Sequence, residues 1–297
     1  GDGWTLVDTG VRTEATAAAW QQLLGGALGG RPVRRVIVTH MHPDHVGMAG
    51  WLTRKFDCRL WMTRLEYLTC RVLVADTGSE APEDGVEFYR RAGWDDGALE
   101  QYRARFGGFG KGVYRLPDSY HRIVDGETIR VGEHDWTVVV GHGHSPEHAC
   151  LHSPALRLLI SGDQVLPRIS SNVSVFPTEP EADPLHGWLR SMERIRDTVP
   201  DDVLVLPAHN EPFIGLHARL AYLGQGHRVS LDRLRRRLAQ PRRVVDVFAS
   251  LFGRAIDEPR LLSLATGESL AHLNYLVHRG EATVSVDDDG VAWYQAL

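Results

Sequence analysis

Cysteine is scarce in this chain of 297 residues: only Cys58, Cys70 and Cys150 occur, with neither CxxC spacing nor an even count. That pattern argues against a disulfide framework and for free thiols in a reducing cytoplasm. No apolar run approaches the length needed to cross a bilayer, so no membrane partner is expected. No charged-then-apolar leader opens the chain. Positive charge is not in excess either, since 33 Lys and Arg face 38 Asp and Glu, a formal net charge of −5. Whole-molecule electrostatics therefore gives no reason for polyanion binding, although a local basic patch is still allowed. Internal repeats and low-complexity stretches are absent. The opening "GDGWTLVDTG" lacks an initiator Met and reads as the second half of a hairpin, so a short preceding strand is expected.

What is present suits a globular chain with a sizeable core: 43% hydrophobic and 24% charged residues, with 30 Gly and 15 Pro. The length suits one large domain with a small appendix. Short β-rich runs alternate with helical stretches up to about residue 210. "WTLVDTG", "RRVIVTH", "DCRLWMT", "DWTVVVGHGH", "ALRLLISGD" and "DVLVLPAH" read as strands, and "TEATAAAWQQLLGGAL" and "HVGMAGWLTRKF" as helices. Asp183 and Pro184 supply an N-cap and a first helical residue for "DPLHGWLRSMERIRDTV". Residues 63–125 interrupt the rhythm with aromatics and arginines, which suggests a helical pair, a lid or pocket wall, and a mobile "GGFGKG" loop. From residue 216 the pattern becomes helix-rich and basic. It ends in a helix stopped by Gly280 and a hairpin turning at Asp289–Gly290, the order of a winged-helix-like module.

The densest chemistry lies in "VIVTHMHPDHVGMAG", residues 36–50. Imidazoles and a carboxylate are ligands suited to Zn²⁺, and also to Fe or Mn. His40 and His42 are two apart in an extended segment, so both can face one side. Asp44 and His45 follow at the turn into a helix, where they can face a second ion. Three later strand ends add His142, His144 and His148 ("GHGHSPEH"), Asp163 ("ISGD") and His209 ("VLPAH"). Each closes an expected strand, so the loops can gather at one edge of the sheets.

"THMHPDH", "GHSPEH", "SGD" and "LPAH", in this order, resemble the metallo-β-lactamase superfamily over residues 1 to about 215. The resemblance implies an α/β fold, a four-layer αβ/βα sandwich in residues 1–215, followed by a small winged-helix-like domain in residues 216–297. It implies that His40, His42 and His144 hold one metal and that Asp44, His45 and His209 hold a second. Asp163 would bridge the two together with a hydroxide. Asp8 in "LVDTG" matches the family's first-strand aspartate, which orients a ligand histidine. Asp44 and His148 stand among the catalytic groups, His148 as a partner of the ligands or of the substrate. His142 occupies a position where the family usually has Pro, and "GHSPxH" favours His144 as the ligand. The branch with a thiolate ligand has Cys where this chain has Asp163, which argues against that antibiotic-degrading branch and leaves Cys150 as a core residue.

The implied activity is that of a dinuclear hydrolase with two Zn²⁺ (Fe or Mn being the other candidates) and a small-molecule ester, thioester or lactone as substrate. Arg168 and Asn172, in the loop after Asp163, are the candidate substrate contacts. A second reading is a single-strand endoribonuclease, for which "RLRRR" and "PRRVV" offer a basic cluster without an aromatic stacking strip. A third is a DNA-binding regulator with "ESLAHLNYLVHRG" as recognition helix, although Arg279 is its only long cation. A packing or homodimer role for the C-terminal module is the expectation set against that.

Overall fold

A computed structural model describes residues 2–254, 256 and 258–297 of the chain. Strands β1 (Trp4–Val7), β2 (Val33–Ile37), β3 (Arg59–Met62) and β4 (His121–Arg122) form a parallel sheet in that order. A second, mixed sheet runs β5 (Thr128–Val131), β6 (His134–Gly141), β7 (His148–Ser153), β8 (Leu158–Gly162) and β9 (Leu204–Pro207). Only β8 and β9 are parallel within it.

Side-chain alternation along these strands builds the layers. Ile37, Val138, Val140, Ala149 and Leu151 point into the space between the two sheets. Their neighbours Val36, Val38, Val139 and Cys150 point the other way, toward helices. A strand whose successive residues serve two different cores must be apolar throughout, which is why "VIV" and "VVV" runs mark these strands. Each fully buried Ile or Leu in such a position contributes roughly 1.5–3 kcal/mol. Helices α1 (Glu14–Gly25), α2 (Pro43–Val46) and α3 (Ala49–Phe56) belong to the side of the first sheet, and Leu52 is buried there against Leu60 and Met62.

Residues 63–125 hold three helices rather than a pair: α4 (Arg64–Ala75), α5 (Glu83–Arg91) and α6 (Asp96–Arg105). Phe88, Tyr89, Trp94 and Leu99 are buried in the same core as the second sheet. "GGFGKG", expected as a mobile loop, makes a short 3₁₀ turn at 109–112, where the Gly112 carbonyl accepts from Arg12 N–H at 2.9 Å. This segment is thus built into the molecule on both flanks.

On the outer side of the second sheet lie α7 (Pro184–Thr198) and α8 (Leu216–Arg237). Asp183 caps α7, accepting from His186 N–H at 3.1 Å, with Pro184 at the first helical position. The C-terminal part adds α9 (Phe248–Phe252), α10 (Pro259–His278) and the antiparallel pair β10 (Ala282–Val286) and β11 (Ala292–Ala296). The helix-and-hairpin order expected from the sequence is present. The recognition-helix reading of α10 finds little surface: within residues 268–280 only His278, Arg279 and Gly280 at its end are exposed, so most of this helix is a core element. Among the described residues, no helix is long and apolar enough to cross a membrane.

Candidate metal centre

The segment after β2 leaves the sheet extended, and His42 ends it with φ −61° and ψ 145° as the N-cap of α2. Pro43 at the first helical position then turns the chain, so that Asp44 and His45 face the same edge one step on. β7 is entered through His144 and left by the return to β8, which ends at Gly162 and delivers Asp163; β9 delivers His209.

Three ring nitrogens converge. His40 Nε2 and His42 Nδ1 are 2.9 Å apart, His42 Nδ1 and His144 Nε2 3.1 Å, and His144 Nε2 and His40 Nε2 3.3 Å. The proton positions on two of these rings follow from their other nitrogens. Thr39 Oγ1 donates to Asp8 Oδ2 at 2.8 Å, so it accepts from His40 Nδ1 at 3.0 Å. The Asn172 carbonyl, which can only accept, takes His144 Nδ1–H at 2.8 Å. The Nε2 atoms of His40 and His144 are therefore bare lone pairs facing each other. A triangle of nitrogens with sides near 3 Å has its centre about 1.8 Å from each corner, slightly short of the roughly 2.0–2.1 Å of a Zn–N bond.

A second cluster adjoins the first. His45 Nδ1 donates to Asp8 Oδ2 at 2.8 Å, which turns Nε2 to within 3.5 Å of both Asp44 Oδ2 and Asp163 Oδ1. His209 Nε2 lies 3.2 Å from Asp44 Oδ2 and 3.4 Å from Asp163 Oδ1. The other Asp163 oxygen, Oδ2, is 3.5 Å from His144 Nε2, so this carboxylate reaches both clusters. His45 Nε2 and Asp163 Oδ1 are buried without a hydrogen-bond partner. Buried polar atoms left so are costly. A cation in this second cluster would satisfy both, and the imidazole and carboxylate donors fit one.

The electrostatics agree. Burial, reinforced by neighbouring imidazoles, lowers His40 and takes His42 down to about 3, so both are neutral ligands. Burial also works against charge on His45, but Asp163, Asp44 and Asp8 outweigh it and raise that ring to about 12. The His45 hydrogen bond holds Asp44 at about 2; Asp163 is lowered by His144 and His45 against the effect of burial. A field that favours a proton on His45 Nε2 favours a metal cation at the same place.

Supporting residues fix these ligands. Asp8, with φ 58°, takes Thr39 N–H at 2.8 Å and the two bonds already described, the role expected of it. Glu66 on α4 was not legible as a site residue. It is fully buried, and burial raises its pKa although three donors work against that. Its Oε1 accepts from Ser145 Oγ (2.6 Å) and Glu147 N–H (2.7 Å), and its Oε2 from Met41 N–H (2.8 Å). One carboxylate thus clasps the His40–His42 segment to the His144 segment. The signal was faint: Glu66 and Cys70 are four apart on α4 and share its buried face.

Three expectations need correction. His148 is not a catalytic group but fills the other role expected of it, a partner of the ligands: it has no exposure, and its Nε2 accepts Asp163 N–H at 3.0 Å, so it holds the shared carboxylate from beneath. The Asn172 side chain does not face substrate, because its Nδ2 donates to Glu268 Oε2 at 2.8 Å. Arg168 is engaged by Glu211, Nε to Oε1 at 2.8 Å, at the surface. His142, as expected, is no ligand: its Nδ1 donates to the Pro146 carbonyl at 2.7 Å. Cys150 is buried and free. Asp44 and His209 keep the outer side of the centre open, their side chains 49% and 43% exposed.

Comparison with known proteins agrees with this geometry. The family model described as metallo-beta-lactamase superfamily matches residues 1–209, and one described as metallo-beta-lactamase-like, C-terminal domain, matches residues 231–297. A beta-lactamase domain protein from Burkholderia ambifaria is 40% identical, with TM-score 0.90 over 99% of this chain and 84% of that one. A metallo-beta-lactamase family protein from Thermus thermophilus, TTHA1429, is 25% identical, with TM-score 0.82 over 100% and 91%. The probable metallo-hydrolase YqjP of Bacillus subtilis (strain 168) is 24% identical over 308 residues, 100% of this chain and 91% of that protein.

Proposed function

Because the chain belongs to the metallo-β-lactamase superfamily, we propose that it is a dinuclear metal-dependent hydrolase of a small ester, thioester or lactone. The observation that carries this reading is the pair of adjoining ligand clusters, with Asp163 offering one oxygen to each. His40, His42 and His144 would hold one ion and Asp44, His45 and His209 the other, with Zn²⁺ the first candidate by donor type. When bound, the two ions supply Lewis-acid polarisation of the scissile carbonyl and activation of a water.

The chain's own residues do the rest. Asp44, ionised and half-exposed, orients a water at the open side and accepts its hydrogen bond. Asp8, Thr39 and Asn172 fix which nitrogen of each ring is bare. Within the loop after Asp163 the one arginine, Arg168, is neutralised by Glu211, whereas Ile169 and Phe176 are exposed at 54% and 46%. A surface of that kind suits an acyl group better than a polyphosphate. The free thiols Cys58, Cys70 and Cys150 favour a cytoplasmic location.

Hydrolysis of a thioester and lactone panel by metal-loaded protein tests the proposal, with Asp163→Ala and His42→Ala as controls. Turnover lost by roughly 10³-fold or more in both variants is expected. The competing endoribonuclease reading has one observation in its favour: Arg233, Arg236 and Arg237 line a surface recess with Ser250. Cleavage of a single-stranded oligonucleotide, weakening steeply with salt, in a protein inert toward the acyl panel would install that reading instead.

A further inference from the structure

We propose that Glu268, on the C-terminal helix α10, is a positioning residue for the metal ligand His144, acting through Asn172. The inference rests on the dinuclear reading and goes beyond it by giving the C-terminal part of the chain a share in one metal site.

His144 is oriented by the Asn172 carbonyl, which accepts its Nδ1–H at 2.8 Å. That carbonyl belongs to a stretch between Asp163 and Asp183 with no helix or strand, so no ladder of backbone bonds fixes its direction. Its anchors come from elsewhere. Asn172 Nδ2 donates to Glu268 Oε2 at 2.8 Å, and Asn172 Oδ1 accepts from Ser174 Oγ at 2.5 Å. Val175 N–H donates to the Gly267 carbonyl at 3.0 Å, in the middle of α10. Only glycine allows that approach, because a Cβ at Gly267 would lie 2.7 Å from Ser174 Oγ and 2.9 Å from the Val175 carbonyl oxygen. On the site side, Ser171 Oγ donates to the carbonyl of Asp163; on the helix side, Ser170 Oγ lies 3.4 Å from His227 Nε2 on α8.

The segment 170–175 is therefore a strap. One side holds His144 and the backbone of Asp163; the other is fastened to α10 by Gly267 and Glu268. Removing the Glu268 carboxylate leaves the Asn172 amide without its acceptor and frees the carbonyl to swing. Outer partners that orient a metal-bound imidazole typically carry 10–100-fold in metal affinity. A bond one residue further out belongs at the lower end. The effect of these two side chains should be largest at the site that His144 serves, because Asp44, His45 and His209 have no bond to the strap among the described residues, and Asp163, which reaches both clusters, is held through Ser171 rather than through Asn172 or Glu268.

The test is a zinc titration of metal-stripped full-length protein against a chromophoric chelator, run beside thermal unfolding. The wild-type chain should take two ions. Glu268→Ala and Asn172→Ala should each weaken one of the two by about tenfold or more and leave the other within about twofold. Asn172→Ala keeps the backbone carbonyl, so it carries the test if Glu268→Ala does not fold. Glu268→Gln, which keeps an acceptor oxygen, should restore binding to near wild type. Asn274→Ala removes bonds from α10 to the Pro180 and Ala182 carbonyls. It should lower the melting temperature without changing either affinity. Unchanged affinities in both Glu268→Ala and Asn172→Ala overturn the proposal, as does a loss of both ions in step with stability. A wild-type chain that takes fewer than two ions refutes the dinuclear reading, an outcome separate from any difference among the variants.

Discussion

Asp8 satisfies three donors with one carboxylate, at a backbone φ of 58° that few side chains tolerate. Two of those donors belong to Thr39 and one to His45, so its removal disturbs both metal clusters together. Asp8→Ala should weaken metal binding roughly 10–100-fold at both sites, read by chelator competition. Asp8→Asn keeps the backbone preference but offers its amide to a donor nitrogen, so it should recover stability more than affinity. Gly162 makes a second prediction. Its φ is 50°, and a Cβ there would lie 2.5 Å from His148 Nε2, the atom that holds Asp163 N–H. Gly162→Ala should cost roughly 1–3 kcal/mol in denaturant unfolding and lower zinc occupancy. At this scale the ligands were legible because each closes a strand, a position where polar residues of this kind have little structural work. Glu66 was hidden because a Thr63-to-Glu66 spacing reads as an ordinary helix start. Asn172, and the catalytic role given to His148, were misplaced for a different reason. Periodicity says nothing of where a side chain points in an irregular loop, nor of which face of a metal cluster a nearby histidine occupies.

Helices α8 and α10 meet through a buried pair, His227 Nδ1 and His272 Nε2, 3.1 Å apart. His272 Nδ1 donates to the Glu268 carbonyl at 2.8 Å, and Trp188 packs edge-on to His227 with ring centroids 4.8 Å apart. Burial, then the neighbouring His272, takes His227 from the ordinary 6.5 down to about 3, so the folded state keeps it neutral. A depressed folded pKa means that the unfolded chain binds the proton first on acidification. The contribution is whole above pH 6.5 and is lost as pH falls toward 3, at most about 5 kcal/mol from this group. Denaturant midpoints measured from pH 7 to 4 should therefore fall more in wild type than in His227→Gln; parallel curves would contradict the assignment. The strands at the middle of the sheets were legible because a run serving two cores is apolar without interruption, whereas the short β4 and the half-exposed β5 carry no such run. The three-helix content of residues 63–125 was read as a pair because α4 continues directly from β3 through Thr63, with no Gly or Pro to mark it.

Across the whole molecule, one core cluster runs from Val86 and Trp94 through Leu159, Val205 and Trp188 to Leu273 and Tyr294. Trp94 Nε1 donates to Thr266 Oγ1 at 2.9 Å, and Val245 N–H donates to the Ala92 carbonyl at 3.2 Å. The catalytic sheet and the C-terminal helices are thus not separable by cutting a linker. Calorimetry of metal-free protein should show a single transition, with calorimetric and van't Hoff enthalpies equal; two resolved transitions would contradict a shared core. Such sharing was not readable from the chain, because a helix that serves its neighbours and a helix that serves a distant sheet have the same period. The two-ion site is tested most directly by anomalous diffraction from crystals grown with zinc. The expected map has two peaks, one against His40, His42 and His144 and one against Asp44, His45 and His209, with Asp163 touching both. A single peak, or two that Asp163 does not join, would contradict it.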